Sequence, residues 1–268
     1  MKIDYSSVSK GIRRKILKMV LDSQTSHLGS CLSCVDILTV LYFKAMKIKP
    51  KDLTRGSHDR FILSKGHAAA ALYAVLAEKG FFPEQELKNY CADGYKMAGH
   101  STKDCVPGVE VSTGSLGHGL PMGAGMALAN KRDKNKRRVF VLMSDGECDE
   151  GTVWEAALFA SHHKLDNLVA IVDYNKLQAF GRTNEVLNLE PFAKKWSDFG
   201  WEAKEVDGHN FSELEKAFMS VPFKKEKPTI VIAHTIKGKG ISFIEDRLEW
   251  HYKNLTEEDY QSGLKELI

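Results

Sequence analysis

The chain has 268 residues, 43% of them hydrophobic and 27% charged, with a formal net charge of +3. That is apolar content enough for the core of one large α/β domain, and a charge balance that does not point to nucleic acid. No apolar stretch approaches a membrane span and the start, Met-Lys-Ile-Asp-Tyr-Ser-Ser, has no secretory apolar region, so no membrane is expected as a partner and the location is expected to be cytoplasmic.

In chain order, the first forty-six residues alternate apolar and polar at helical spacing, with an interruption from Ser23 to Ser33 that carries His27. The pattern predicts helix, polar turn, helix, and residues 12–21 read as an amphipathic domain helix. Residues 60–63 read as a short strand that ends at Ser64-Lys65-Gly66-His67, and an Ala-rich helix is expected over 67–79. Its amino end is a natural place for an anion. Residues 81–117 hold Pro83, Pro107 and many glycines, so a loop-built site is expected there, broken only by a helix at about 84–92. A small-residue helix follows over 118–130. The basic run Lys131 to Arg138 reads as a solvated loop.

The next stretch carries the chemistry. Val-Phe-Val-Leu-Met-Ser runs into Asp145-Gly146-Glu147, and Leu-Val-Ala-Ile-Val-Asp-Tyr runs into Asn175-Lys176, thirty positions later. Both apolar runs read as buried parallel strands, over 138–144 and 168–173, joined by a helix over 154–163. In an open parallel sheet, ligands bind beyond the carboxyl ends of the strands, so two oxygen-bearing side chains there can share one hard cation. Turn chemistry alone also favours Asp-Gly and Asn at strand ends. A loop, a helix at 191–197, strands at 202–206 and 229–234, a helix at 212–220, a lid-like segment at 241–254 with His251, and a short helix complete the pattern. Strands alternating with helices predict a doubly wound parallel α/β sheet with helices on both faces, as a single domain over 1–268.

The five cysteines, Cys31, Cys34, Cys91, Cys105 and Cys148, have no framework spacing and read as reduced thiols. Cys31 and Cys34 form a Cys-x-x-Cys without a second ligand pair nearby, which reads as inert. The absence of a Gly-x-Gly-x-x-Gly after the first strand argues against a nicotinamide site.

Six motifs occur in one order: Ser26-His27-Leu28-Gly29, Leu63-Ser64-Lys65-Gly66-His67-Ala68, Ala98-Gly99-His100, the run from Gly108 to Gly117, Asp145-Gly146-Glu147 and Trp250-His251. In that order the chain resembles the transketolase family of thiamine-diphosphate enzymes. The wider signature, Gly-Asp-Gly followed by Asn-Asn, stands here as Ser144-Asp145-Gly146 and Tyr174-Asn175, with the ligand-bearing residues kept.

The resemblance implies thiamine diphosphate held through Mg2+, with Ca2+ or Mn2+ as substitutes. Asp145, Asn175 and the Leu177 carbonyl would be the metal ligands. His67 and His251 would lie against the diphosphate and thiazolium region, with His27, His100 and His251 around the reacting carbons. Gly114, Ser115 and Leu116 would lie beside the aminopyrimidine, and Gly146 would let its amide approach a phosphate. Glu150 and Glu155 would join a carboxylate network across a subunit interface. His58, His118, His162, His163, His209 and His234 read as structural or exposed.

The implied reaction is transfer of a two-carbon ketol unit from a ketose, often phosphorylated, to an aldose. The family's activating Glu lies in a pyrimidine-binding domain that this sequence does not contain, nor does it contain the family's carboxy-terminal domain. A separate C-terminal transketolase subunit is therefore expected to supply both, in an α2β2 assembly. A specialised transketolase-like enzyme of sugar biosynthesis, or a non-catalytic cofactor-binding subunit, are the alternatives.

Overall fold

The computed structural model describes residues 3–268. It opens with a helical layer: α1 (Tyr5–Ser23), α2 (Leu28–Ser33) and α3 (Val35–Val40), the last continuing into a π-helical turn, Leu41–Ala45. Asp4 starts α1 by accepting the Ser7 amide at 3.1 Å, which satisfies one of the unpaired donors of the first turn. Next come β1 (Arg60–Leu63), α4 (Ala69–Glu78), α5 (Gly119–Arg132), β2 (Val139–Ser144), α6 (Gly151–His162) and β3 (Leu168–Tyr174). The chain ends with α7 (Thr183–Val186), α8 (Phe192–Asp198), β4 (Glu202–Asp207), α9 (Phe211–Met219), β5 (Thr229–His234) and α10 (Glu257–Glu266).

All five strands pair in parallel, in the order β1-β2-β3-β5-β4. Because side chains alternate across a strand, each strand feeds two cores. Phe140, Leu142, Val169, Ile171 and Val231 pack with the helices of the amino-terminal layer and with α9. Val139, Val141, Met143, Ala170, Val172 and Ile232 pack on the opposite face with α5, α6 and α8. The continuous apolar runs of β2 and β3 follow from this, since both faces of the sheet are covered. The doubly wound α/β reading holds, with strand limits within a residue of those expected.

Four local expectations need correcting. The polar turn is only 24–27, because Ser30 and Ser33 are buried helix residues: Ser33 Oγ donates to the Ser30 carbonyl at 3.1 Å and to Asp173 at 2.5 Å. Residues 84–92 form a 3-10 turn over Glu84–Asn89 rather than a helix of that length. The segment 241–254 is not a loose lid, since Ile241, Ile244 and Trp250 are buried in the core. The basic run is partly structural: Arg138 pairs with Asp59 at 2.6 Å and Arg137 bonds the Gly56 carbonyl. Cys31 and Cys34 are buried free thiols.

Candidate active site

Ser144 and Asp173 lie side by side in the β2–β3 register, so Asp145 and Asn175 leave adjacent strand ends in the same direction. Both are buried. One Asp145 carboxylate oxygen accepts the Gly146 amide at 2.8 Å and the other accepts the Lys176 amide at 2.6 Å. Asn175 Oδ1 accepts the Leu177 amide at 3.0 Å, and Lys176 takes a left-handed φ of 62° that turns the chain back over the strand ends. Burial, then the neighbouring Asp173, pushes the Asp145 carboxyl up to about 6, although the two amides oppose the shift. Asp145, Asn175 and the Leu177 carbonyl thus offer three hard oxygen donors on one short stretch of rim.

Beneath them lies a charged network inside the sheet. Asp173, the last but one residue of β3, bonds Lys65 Nζ, Ser33 Oγ and Thr235 Oγ1, and Lys65 Nζ also donates to the Ser30 carbonyl at 3.0 Å. Both charged side chains are fully buried. Burial opposes the Lys65 charge, but Asp173 outweighs it and holds the ammonium pKa above its ordinary value. Removing one partner of such a pair strands the other charge in the interior, which costs about 3–5 kcal/mol.

Glu147 ties the loops to this base. It is wholly buried and accepts from Ser64 Oγ and, at 2.9 Å, from the Gly117 amide. Thr152 Oγ1 donates to the Gly117 carbonyl at 3.0 Å, so the stretch from Gly114 to Gly117 is held at both ends of its last residue. A Cβ on Gly66 would stand 2.7 Å from Thr113 Oγ1 and 2.8 Å from the Gly114 amide. Only glycine lets the Ser64 to His67 turn pack so closely on that stretch.

Four histidines meet above the strand ends. The His27 ring centroid lies 5.3 Å from that of His67, 5.9 Å from His100 and 5.0 Å from His251, and His67 lies 6.0 Å from His251. Burial, with the cations Lys237 and Lys65 nearby, lowers His27 to about 4 and His251 to about 3, and His67 falls well below the ordinary imidazole value. These shifts favour the neutral form of the three rings, each with a nitrogen free to accept a hydrogen bond.

The four rings, Asp145, Gly146, Asn175, Leu177, Gly114 and Leu116 line one cleft of about 470 Å³. Glu150 lines it too, whereas Ser115 and Glu155 are exposed outside its wall. Among the described residues, no group of three or more His, Cys, Asp or Glu has metal-holding geometry. A cation on this rim would complete its shell with ligand oxygens.

Sequence reasoning gave no role to Lys237 or Asp173. Lys237 is buried, donates to the Leu177 and Gln178 carbonyls at 3.0 and 3.2 Å, and meets His251 Nδ1 at 2.8 Å. Burial pulls its ammonium pKa down to about 8. Both residues had a signal. Asp173 is a charge inside a buried apolar run, which needs a partner. Lys237 follows the last strand, at the carboxyl ends of the strands where ligands bind. Of the six histidines set aside, His58, His209 and His234 bond Glu110, Asp36 and Glu205, respectively.

Residues 5–267 match the family described as transketolase, thiamine diphosphate binding domain. The chain belongs to the transketolase family. It is 42% identical over 255 residues to an apulose-4-phosphate transketolase subunit from Phocaeicola vulgatus, covering 95% of this chain and 90% of that protein. To the subunit of the same name from Actinobacillus succinogenes it is 46% identical over 260 residues, covering 97% and 94%. The solved transketolase from Leishmania mexicana superposes with a TM-score of 0.92 at 28% identity, over all of this chain and 42% of that one. Relatives matched along nearly their whole length are thus named as single subunits of a transketolase, while the longer transketolase is matched over less than half. The region matched is the thiamine diphosphate binding domain of that transferase family.

Proposed function

We propose that this chain is one cofactor-binding domain that holds the diphosphate of thiamine diphosphate through a single Mg2+. Asp145, the Asn175 amide oxygen and the Leu177 carbonyl are its protein ligands. The donor set suits the ion: three hard oxygens, one of them a buried carboxylate that accepts from two backbone amides and the Thr183 hydroxyl, and one a carbonyl that keeps a second lone pair beside its bond from Lys237. When bound, the cofactor supplies the nucleophilic carbon for ketol transfer.

The protein's own part falls to the histidines. His67 and His251 receive the diphosphate and thiazolium end, with Gly146 admitting the phosphate beside its amide. Gly114, Ser115 and Leu116 border the aminopyrimidine. His27, His100 and His251 stand where substrate hydroxyls arrive and hold or pass on their protons, a task that suits a neutral imidazole. The observation that carries this reading is the meeting of four histidine rings, within 6.0 Å of one another along the pairs above, over the Asp145 and Asn175 strand ends.

The donor is a ketose phosphate or a similarly anionic ketose, because relatives at 42% and 40% identity are named for apulose-4-phosphate and for 6-deoxy-6-sulfo-D-fructose. Those names favour a specialised sugar over the broader reading of any ketose donor. The partner is a C-terminal subunit carrying the pyrimidine-binding domain, in an α2β2 assembly to which Glu150 and Glu155 contribute. Five free cysteines suit a cytoplasmic enzyme. Calorimetric titration of thiamine diphosphate with and without Mg2+ tests the site: metal-dependent binding supports it, and equal binding in chelator contradicts it.

A further inference from the structure

Arg13 on α1 and Asp36 on α3 form a two-pronged ion pair, Nη1 to Oδ1 at 2.9 Å and Nη2 to Oδ2 at 2.8 Å, with both side chains almost wholly buried (6% and 5% exposed). Burying two charges carries a desolvation cost that their attraction often does not recover, so such a pair needs a reason beyond stability. Neither residue lines the cleft.

What the pair reaches is the backbone on both sides of Lys237. Arg13 Nε donates to the Lys239 carbonyl at 2.9 Å. His209, in the turn after β4, places Nδ1 2.8 Å from Asp36 Oδ2, while its Nε2 lies 2.9 Å from the Ile236 amide. The Ile236 N–H can only donate, so Nε2 is the acceptor and the ring proton sits on Nδ1, facing Asp36. A backbone N–H on one side of Lys237 and a backbone carbonyl on the other are thus gripped by one buried cluster. Gly240 lies against the same arginine, and a Cβ there would stand 2.8 Å from Arg13 Cδ.

Held this way, Lys237 extends from a fixed backbone to the Leu177 and Gln178 carbonyls and to His251. We propose that Arg13, Asp36 and His209 form a positioning triad that sets the Lys237 amine, and through it the Leu177 turn and His251, for the diphosphate end of the cleft. The proposal rests on the reading of the cleft given above. Supporting partners of ligand groups typically change ligand affinity by about 10–100-fold when removed.

The test is calorimetric titration of Mg2+ with inorganic diphosphate into the full chain and its variants. Lys237→Ala is expected to weaken binding, and His209→Leu to weaken it by about tenfold. His209→Gln, whose amide reaches the Ile236 N–H, is expected to restore most of the affinity. His209→Asn, long enough for Asp36 only, should bind as weakly as the leucine variant. In the Lys237→Ala background, His209→Leu is expected to add no further loss, because the two act as one unit.

If Lys237→Ala weakens binding while His209→Leu matches the parent, the triad is overturned and the cleft reading survives. Equal losses from His209→Leu in both backgrounds would also overturn it, since a general structural defect adds independently. Wild-type binding by Lys237→Ala would overturn the proposal as well, since the triad would then be setting an amine that the diphosphate does not need, while the cleft reading stands on Asp145. Should the leucine variant fail to fold, the comparison of glutamine with asparagine decides, and equal affinity of those two overturns the triad.

Discussion

The His27 amide donates to the His251 carbonyl at 2.8 Å, joining residues 224 positions apart with their rings 5.0 Å from each other. His27 takes a left-handed φ of 71° to make this contact. A non-glycine residue held there costs about 1–2 kcal/mol, and such strain tends to gather at functional sites. The bond closes the histidine cluster from the two ends of the chain, so the imidazoles expected to handle protons keep a fixed spacing before any ligand arrives.

Replacing the proposed charged metal ligand should have the largest effect on cofactor binding. Asp145→Ala is expected to weaken Mg2+-dependent thiamine diphosphate binding by more than about a hundredfold, beyond the range typical of supporting residues. Asn175→Ala should act in the same direction but less. Calorimetry on each variant checks the order, and parent-like affinity in Asp145→Ala would remove the metal site.

The histidines should separate into two behaviours. His27→Ala and His100→Ala are expected to lower ketol transfer by about 10²–10⁴-fold while leaving cofactor affinity largely intact. His67→Ala should lose cofactor retention as well. Steady-state transfer beside binding for each variant, in the assembly with the partner subunit, distinguishes the two. Full activity in both His27→Ala and His100→Ala would mean that proton handling lies elsewhere.

The lowered histidines also set a pH dependence of stability. His27 and His251 are held at about 4 and 3, and His67 is depressed well below its ordinary value, all chiefly by burial. Below the unfolded value of about 6.5, the unfolded chain takes up protons that these native rings refuse. Their contribution to stability is therefore whole above about pH 6.5 and is lost as pH falls toward the native values. For one such ring the slope reaches at most about 1.4 kcal/mol per pH unit. The difference in unfolding free energy between the parent and His67→Asn should accordingly move against the parent from pH 7 to pH 5. A difference that stays flat over that window would show that the ring protonates freely in the native state.

Much of this was legible in the sequence because parallel strands write themselves as unbroken apolar runs. Val139 to Ser144 and Leu168 to Tyr174 could be placed to within a residue, and with them the neighbouring ends that carry Asp145 and Asn175. The resemblance of the motif order to the transketolase family also implied one place for His27, His67, His100 and His251. What escaped was burial of polar groups. Ser30 and Ser33 looked like a solvated turn, yet the Ser33 hydroxyl is bonded to Asp173 and the Ser30 carbonyl, and that carbonyl also accepts from Lys65. Lys237 and the Arg13, Asp36 and His209 cluster were missed for the same reason, since a buried charge is identified by partners far away in the chain.

The central claim is that this chain binds and orients the cofactor's diphosphate half but transfers a ketol unit only when a partner subunit supplies the rest of the site. The most direct measurement is ketol transfer by the purified chain, free of contaminating transketolase, assayed alone and then mixed with the C-terminal subunit in the presence of thiamine diphosphate and Mg2+. The account expects no turnover from the chain alone and turnover on mixing. Robust transfer by the isolated chain, or silence from an assembled complex that binds the cofactor, would contradict it.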